Sequence, residues 1–195
     1  SDIEDYLSHI EDVALRERIR GIRKNNKYFA VTLKGVEGAY DIPRFSLTLQ
    51  KETQKAINAV DPNFVVQSSY QIAIDWIEEH KQIFEDAIIG HDDELSDYVS
   101  SADEAISMLK KSDTTVYLAI EKALSEIMSV DLGHPNISEW LVEIEQELET
   151  RGIANGLILF WDEFTSVMDT LKSDRINVLQ NIAEKSTKNN IFLFL

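Results

Sequence analysis

Asp162 and Glu163 close the apolar run Leu157-Ile-Leu-Phe-Trp161, which places two adjacent carboxylates at the end of a segment that reads as a buried strand. A run of this kind anchors the strand in a core, so the acids emerge at the sheet's carboxyl edge, where open α/β sheets bind ligands. The first carboxylate can hold Mg²⁺, commonly through water, and the second can polarise a water for attack on a phosphoryl group. On this reading Asp162 is the metal carboxylate at a nucleotide site and Glu163 is the catalytic base. A plainer alternative gives the pair to a helix N-terminus, where negative charge is favourable without any catalysis.

The flanking segments predict how such a pair would be positioned. Residues 157 to 161 are apolar on both faces, as expected of a strand inside a parallel sheet covered by helices. Helical patterns follow at Val167, Met168 and Leu171 and at Ile176, Leu179, Ile182 and Ala183, with Ser173 as a cap between them. Ile191-Phe-Leu-Phe-Leu195 then forms a further apolar run, so the region reads as a right-handed βαβ unit. Near the start, Tyr28 to Leu33 has the aromatic and β-branched content of a strand. It is preceded by an amphipathic helix carrying Ile3, Tyr6, Leu7, Ile10, Val13 and Ala14 up to about Gly21. Residues 45 to 60 fit alternation at Phe45, Leu47 and Leu49 and also a helical face at Phe45, Leu49, Ala56 and Val60; a helix is expected.

Between these segments the pattern is wholly helical. One stripe runs from Tyr70 to Ile88, and a second from Ala102 to Leu109 is opened by Ser101 with Glu104 three residues on, the spacing of a capping box. A third runs from Val116 to Ile127, and a fourth follows Asn136 with Trp140, Leu141, Ile144 and Leu148 on its apolar side. Charge divides the chain in the same places. Residues 1–60 hold ten Lys/Arg against nine Asp/Glu, residues 61–150 four against twenty-one, and residues 151–195 five against five. The expected organisation is an α/β fold in three parts: 1–60 as the first part of the core, 61–150 as an acidic helical insertion, and 151–195 as the second part of the core.

Such an acidic middle repels phosphate backbones, so no direct nucleic-acid contact is expected from it. Its helices present either a solvated acidic face or a docking surface for a basic protein partner. No apolar run approaches the roughly 18 residues of a membrane span, the first residues are acidic rather than basic, and a cytoplasmic protein is expected. Zero cysteines exclude disulfides and thiolate metal sites. The chain opens on Ser1 and ends within an apolar run, as a segment of a longer protein would.

Leu157 to Phe164, then Leu179-Gln-Asn-Ile-Ala-Glu-Lys185, then Asn190 to Leu195, resembles the Walker B strand, following helix and sensor-1 strand of additional-strand P-loop ATPases, the AAA+ and STAND-like class. Within that class it looks most like the large multidomain ATPases of bacterial defence systems. Tyr28 to Gly35 looks like the strand after the P-loop helix. The resemblance implies a partial P-loop core of about three parallel strands, with residues 28–33, 157–161 and 191–195 as neighbours. It also implies ATP and Mg²⁺ as cofactors of the intact parent, and a P-loop part of that parent as the missing partner. The seven glycines never form a GxxxxGK[ST] loop, so no tightly bound nucleotide is expected on this segment alone.

Other candidates carry less. His80, His91, Asp92 and Asp93 lack the i, i+4 spacing that aims two ligands at one ion, and His9 and His134 have no partner at useful spacing. Trp76, Trp140 and Trp161 fall on apolar faces and read as core. Arg151 and Arg175 read as surface arginines, with an arginine finger in an oligomer as the alternative.

Overall fold

A computed structural model describes residues 7–34, 42–64, 66–90, 93–162, 164 and 173–195. Helix α1 (Val13–Asn25) precedes strand β1 (Tyr28–Lys34), and α2 (Ile42–Asn58) follows. Next come α3 (Ser69–Glu79), a short turn (Lys81–Ile83) running into a π-helical turn (Phe84–Ile89), α4 (Ala102–Lys110), α5 (Thr114–Met128) and α6 (Ile137–Thr150). Strand β2 (Gly156–Asp162), α7 (Ser173–Ser186) and β3 (Ile191–Phe194) complete the order.

The three strands form one parallel sheet in the order β1-β2-β3. Tyr28 stands opposite Gly156 and Lys34 opposite Asp162, while Leu157 to Phe160 stand opposite Ile191 to Phe194. These are the three segments that the sequence predicts as strands, in the adjacency that the stated resemblance implies. The ambiguous stretch after residue 41 is helical: Phe45 and Leu49 pack with the sheet, and Leu47, half a turn away on the opposite side of the helix, packs with the helices.

Two apolar clusters result. Val31, Leu33, Leu157, Leu159, Trp161 and Ile191 lie on one face of the sheet and are buried against α2, α6 and Ile182 of α7. The second cluster is built by α3, α4, α5, Leu47 of α2, Leu95 and Val99 before α4, and the π turn, which carries Phe84 and Ile88 into it after α3 stops at Glu79. The fourth helix of the acidic middle, α6, buries Trp140, Leu141, Ile144 and Leu148 with the sheet rather than with the other three.

Local start signals act largely as expected. Ser101 Oγ accepts from Glu104 N at 3.2 Å, and the Glu104 carboxylate reaches back to Ser100 N at 2.8 Å, one residue before the expected box partner. Asn136 Oδ1 accepts from Ser138 N and Glu139 N and opens α6. The expected opening helix is interrupted: Leu7 and Ser8 are helical, the chain leaves the helix over residues 9–12, and Asp12 caps the restart by accepting from Leu15 N at 3.0 Å, while Ile3 and Tyr6 lie outside the described residues.

One expectation about the sheet is corrected. A strand apolar on both faces predicts helices on both, yet among the described residues α2, α6 and α7 bury the same face. On the other, Phe160, Phe192 and Phe194 remain 41%, 39% and 53% exposed. Their rings shelter one another instead: Phe160 stacks on Phe194 at 5.1 Å, and Tyr28 meets Phe192 edge-on at 5.5 Å.

Candidate functional site at the carboxyl edge of the sheet

Strand β2 is fixed at both ends. At its start Asn155 N donates to Lys27 O at 2.6 Å and Leu157 N to Asn190 O at 2.8 Å, tying the entry of β2 to those of β1 and β3. At its far end Trp161 points into the core, stacked on Phe45 at 5.1 Å and edge-on to Phe164 at 5.6 Å. Alternation then turns the next side chain the other way, so Asp162 is exposed on the open face with Ile158 and Phe160. The strand thus places one carboxylate at the carboxyl end of its central position in the sheet, in register with Lys34. Glu163, the expected base, lies outside the described residues, as do Val167, Met168 and Leu171.

Asp162 is the described carboxylate that β2 carries to the carboxyl edge of the sheet. Among the described residues no group of three or more His, Asp or Glu side chains is placed to hold a metal ion directly. Of the histidines and acids set aside on spacing, His80 is engaged with its own helix: Nδ1 lies 3.0 Å from Trp76 O and the ring stacks on Trp76. His91 and Asp92 lie outside the described residues. Arg151 is held structurally, at 2.6 Å from Glu147, at 2.9 Å from Asp61 and 4.9 Å above the Phe64 ring. Arg175 has its side chain outside the described ones.

A second polar constellation has no counterpart in the sequence reading. His134, in the connection between α5 and α6, places Nε2 2.6 Å from Glu121 on α5. Its Nδ1 lies 3.4 Å from Ser69 Oγ and 3.5 Å from the Tyr117 hydroxyl. The Glu121 carboxylate raises the His134 pKa against the opposing effect of burial. Tyr70, bonded to Thr114 Oγ1 at 2.9 Å, is pushed up to about 12 by burial. A serine, an imidazole and a carboxylate in line suggest a nucleophile relay, but Ser69 is fully buried and no acyl group can reach it. The arrangement is a structural tie.

Glu145 on α6 is the buried acid of the sheet core. Burial raises its pKa, the neighbouring Glu149 adds to the rise, and the Asn190 backbone N–H opposes both. Comparison with known protein families, curated proteins and solved structures found no match for this chain. Among the described residues, no helix is long and apolar enough to cross a membrane.

Proposed function

We propose that this chain forms part of a P-loop ATPase core and contributes its Walker B acids to Mg²⁺-ATP hydrolysis. The observation that supports this reading most is the place of Asp162, at the carboxyl end of the central strand of a parallel sheet, the edge at which such sheets bind nucleotides. Asp162 would hold Mg²⁺, which would supply charge stabilisation at the phosphates, and Glu163 would take the proton of the attacking water. The strand and loop that cradle the phosphates come from another part of the parent and pair along β3, whose outer edge has no strand partner among the described residues.

The isolated chain lacks the GxxxxGK[ST] amides and lysine, so it is expected to show no ATP turnover. In a parent that carries the loop, Glu163→Gln keeps the shape and removes the base. Nucleotide binding is expected to persist while hydrolysis falls by roughly 100-fold or more. Unchanged turnover in a single-turnover assay would remove Glu163 from the mechanism.

A non-enzymatic acidic interaction module is the second reading, and it draws on the separate apolar cluster that α3, α4 and α5 build beneath an acidic surface. In that case Asp162 and Glu163 only favour the start of the following helix. A phosphate-binding loop encoded shortly before Ser1 favours the ATPase, and its absence favours the module.

A further inference from the structure

Asn155 and Gly156 form the only Asn-Gly pair in the sequence, and they stand where β2 begins. Asn155 is exposed and Gly156 is buried. The backbone nitrogen that follows an asparagine can attack its side-chain carbonyl carbon and close a succinimide ring. A Cβ on the following residue obstructs that approach, and glycine has none. Here the glycine is not freely exchanged, because a Cβ would lie 2.6 Å from Asn190 O. Crowding at the entry of β2 thus enforces the reactive pair.

The fold also sets the side chain. Asn155 N donates to Lys27 O at 2.6 Å, and Asn155 Oδ1 accepts from Lys27 N at 3.3 Å. A backbone N–H is therefore aimed at the oxygen on which negative charge develops when Cγ is attacked, the arrangement by which donors lower the barrier of acyl transfer. Among the described residues no hydrogen bond holds Nδ2, the leaving group. Strand ends fray, and opening the first pair of the β1–β2 ladder gives the Gly156 nitrogen room to attack.

We propose that Asn155 is a site of spontaneous deamidation in the folded protein. The Gly156 nitrogen loses its proton to solvent and bonds to Asn155 Cγ; the Cγ–Nδ2 bond breaks, and Nδ2 takes a proton from solvent and leaves as ammonia. Water then opens the succinimide at either carbonyl, leaving aspartate or isoaspartate at position 155, with no change of oxidation state. Either product adds a negative charge, and isoaspartate adds a backbone carbon where Gly156 has no slack. No nucleotide or metal takes part, so the inference stands independently of the ATPase reading.

The test incubates the 195-residue chain at mildly alkaline pH, folded and unfolded in guanidinium chloride, and follows conversion by isoelectric focusing and peptide mass mapping. An acidic shift is expected that maps to the peptide containing Asn155 and Gly156, at a folded-state rate no more than roughly tenfold below the unfolded one. Asn155→Gln, whose longer side chain would have to close a larger ring, should abolish the shift. The map of the unsubstituted chain fixes the position even if that variant does not fold. A folded-state rate below the tenfold limit overturns the proposal, because the fold would then protect the pair. So does a shift that maps to another asparagine, or one that is undiminished in a folded Asn155→Gln chain.

Discussion

Gly156 opens β2 where a side chain has no room. A Cβ there would lie 2.6 Å from Asn190 O and 2.9 Å from the Tyr28 ring. The first contact is with backbone that also accepts from Leu157 N, so relief requires moving the entry of β3. Gly156→Ala is expected to lower stability by about 1–3 kcal/mol in a urea melt; an unchanged midpoint would mean that the 187–190 connection yields freely. In the sequence this glycine marks only where the apolar run begins, because its crowding comes from residues 34 positions later and 128 earlier. Asp162 was legible for the opposite reason. Its place depends on the run before it, and a strand's alternation decides the side to which it turns.

At the scale of elements, the connection from α5 to α6 is held by His134, which faces Glu121 and Tyr117 of α5, Ser69 of α3 and the nearby Asp131. A histidine whose pKa is raised on folding adds stability that is complete below its ordinary value near 6.5 and is lost as pH rises through the raised value. The pair is partly solvated, so the effect is modest. Tm is expected to fall by roughly 2–4 °C across that window, and Glu121→Gln should flatten the dependence in thermal melts at a series of pH values; an equally steep profile in the variant would assign it to other groups. Helix positions were readable from their apolar stripes and caps. The His134 tie was not, because its partners lie 13, 17 and 65 residues away and only the packing of α3 against α5 brings them together. The covered and open faces of the sheet were likewise hidden: apolar content on both sides of β2 says nothing about which side the connecting helices take.

For the whole molecule, the consequential element is α2, which serves both apolar clusters. Phe45 and Leu49 are buried with the sheet, Leu47 with the helices, and Gln50 Oε1 accepts from Ser69 N at 2.8 Å at the junction. Sharing one helix couples the two, so unfolding is expected to be a single transition. Leu47→Ala and Leu49→Ala should each cost about 2–5 kcal/mol. Far-UV circular dichroism should coincide in both with tryptophan fluorescence, to which Trp76 contributes from the helices and Trp140 and Trp161 from the sheet. Two separated transitions, with Leu47→Ala moving only one, would contradict the coupling. Composition draws its boundary after residue 150, whereas packing puts α6 with the sheet. Both are accurate, because net charge is written on the outward side of a helix and core membership on the inward side. The open aromatic face of the sheet bears on how copies of this chain behave in company. With Phe160, Phe192 and Phe194 uncovered, mutual repulsion of molecules carrying -16 is what opposes face-to-face sticking. That repulsion vanishes near the isoelectric point of about 4.6 and shortens in salt. Dispersion of this chain is therefore expected to fall as the pH nears that point or as salt is added, which gives the charge of the middle helices a role even where they touch nothing.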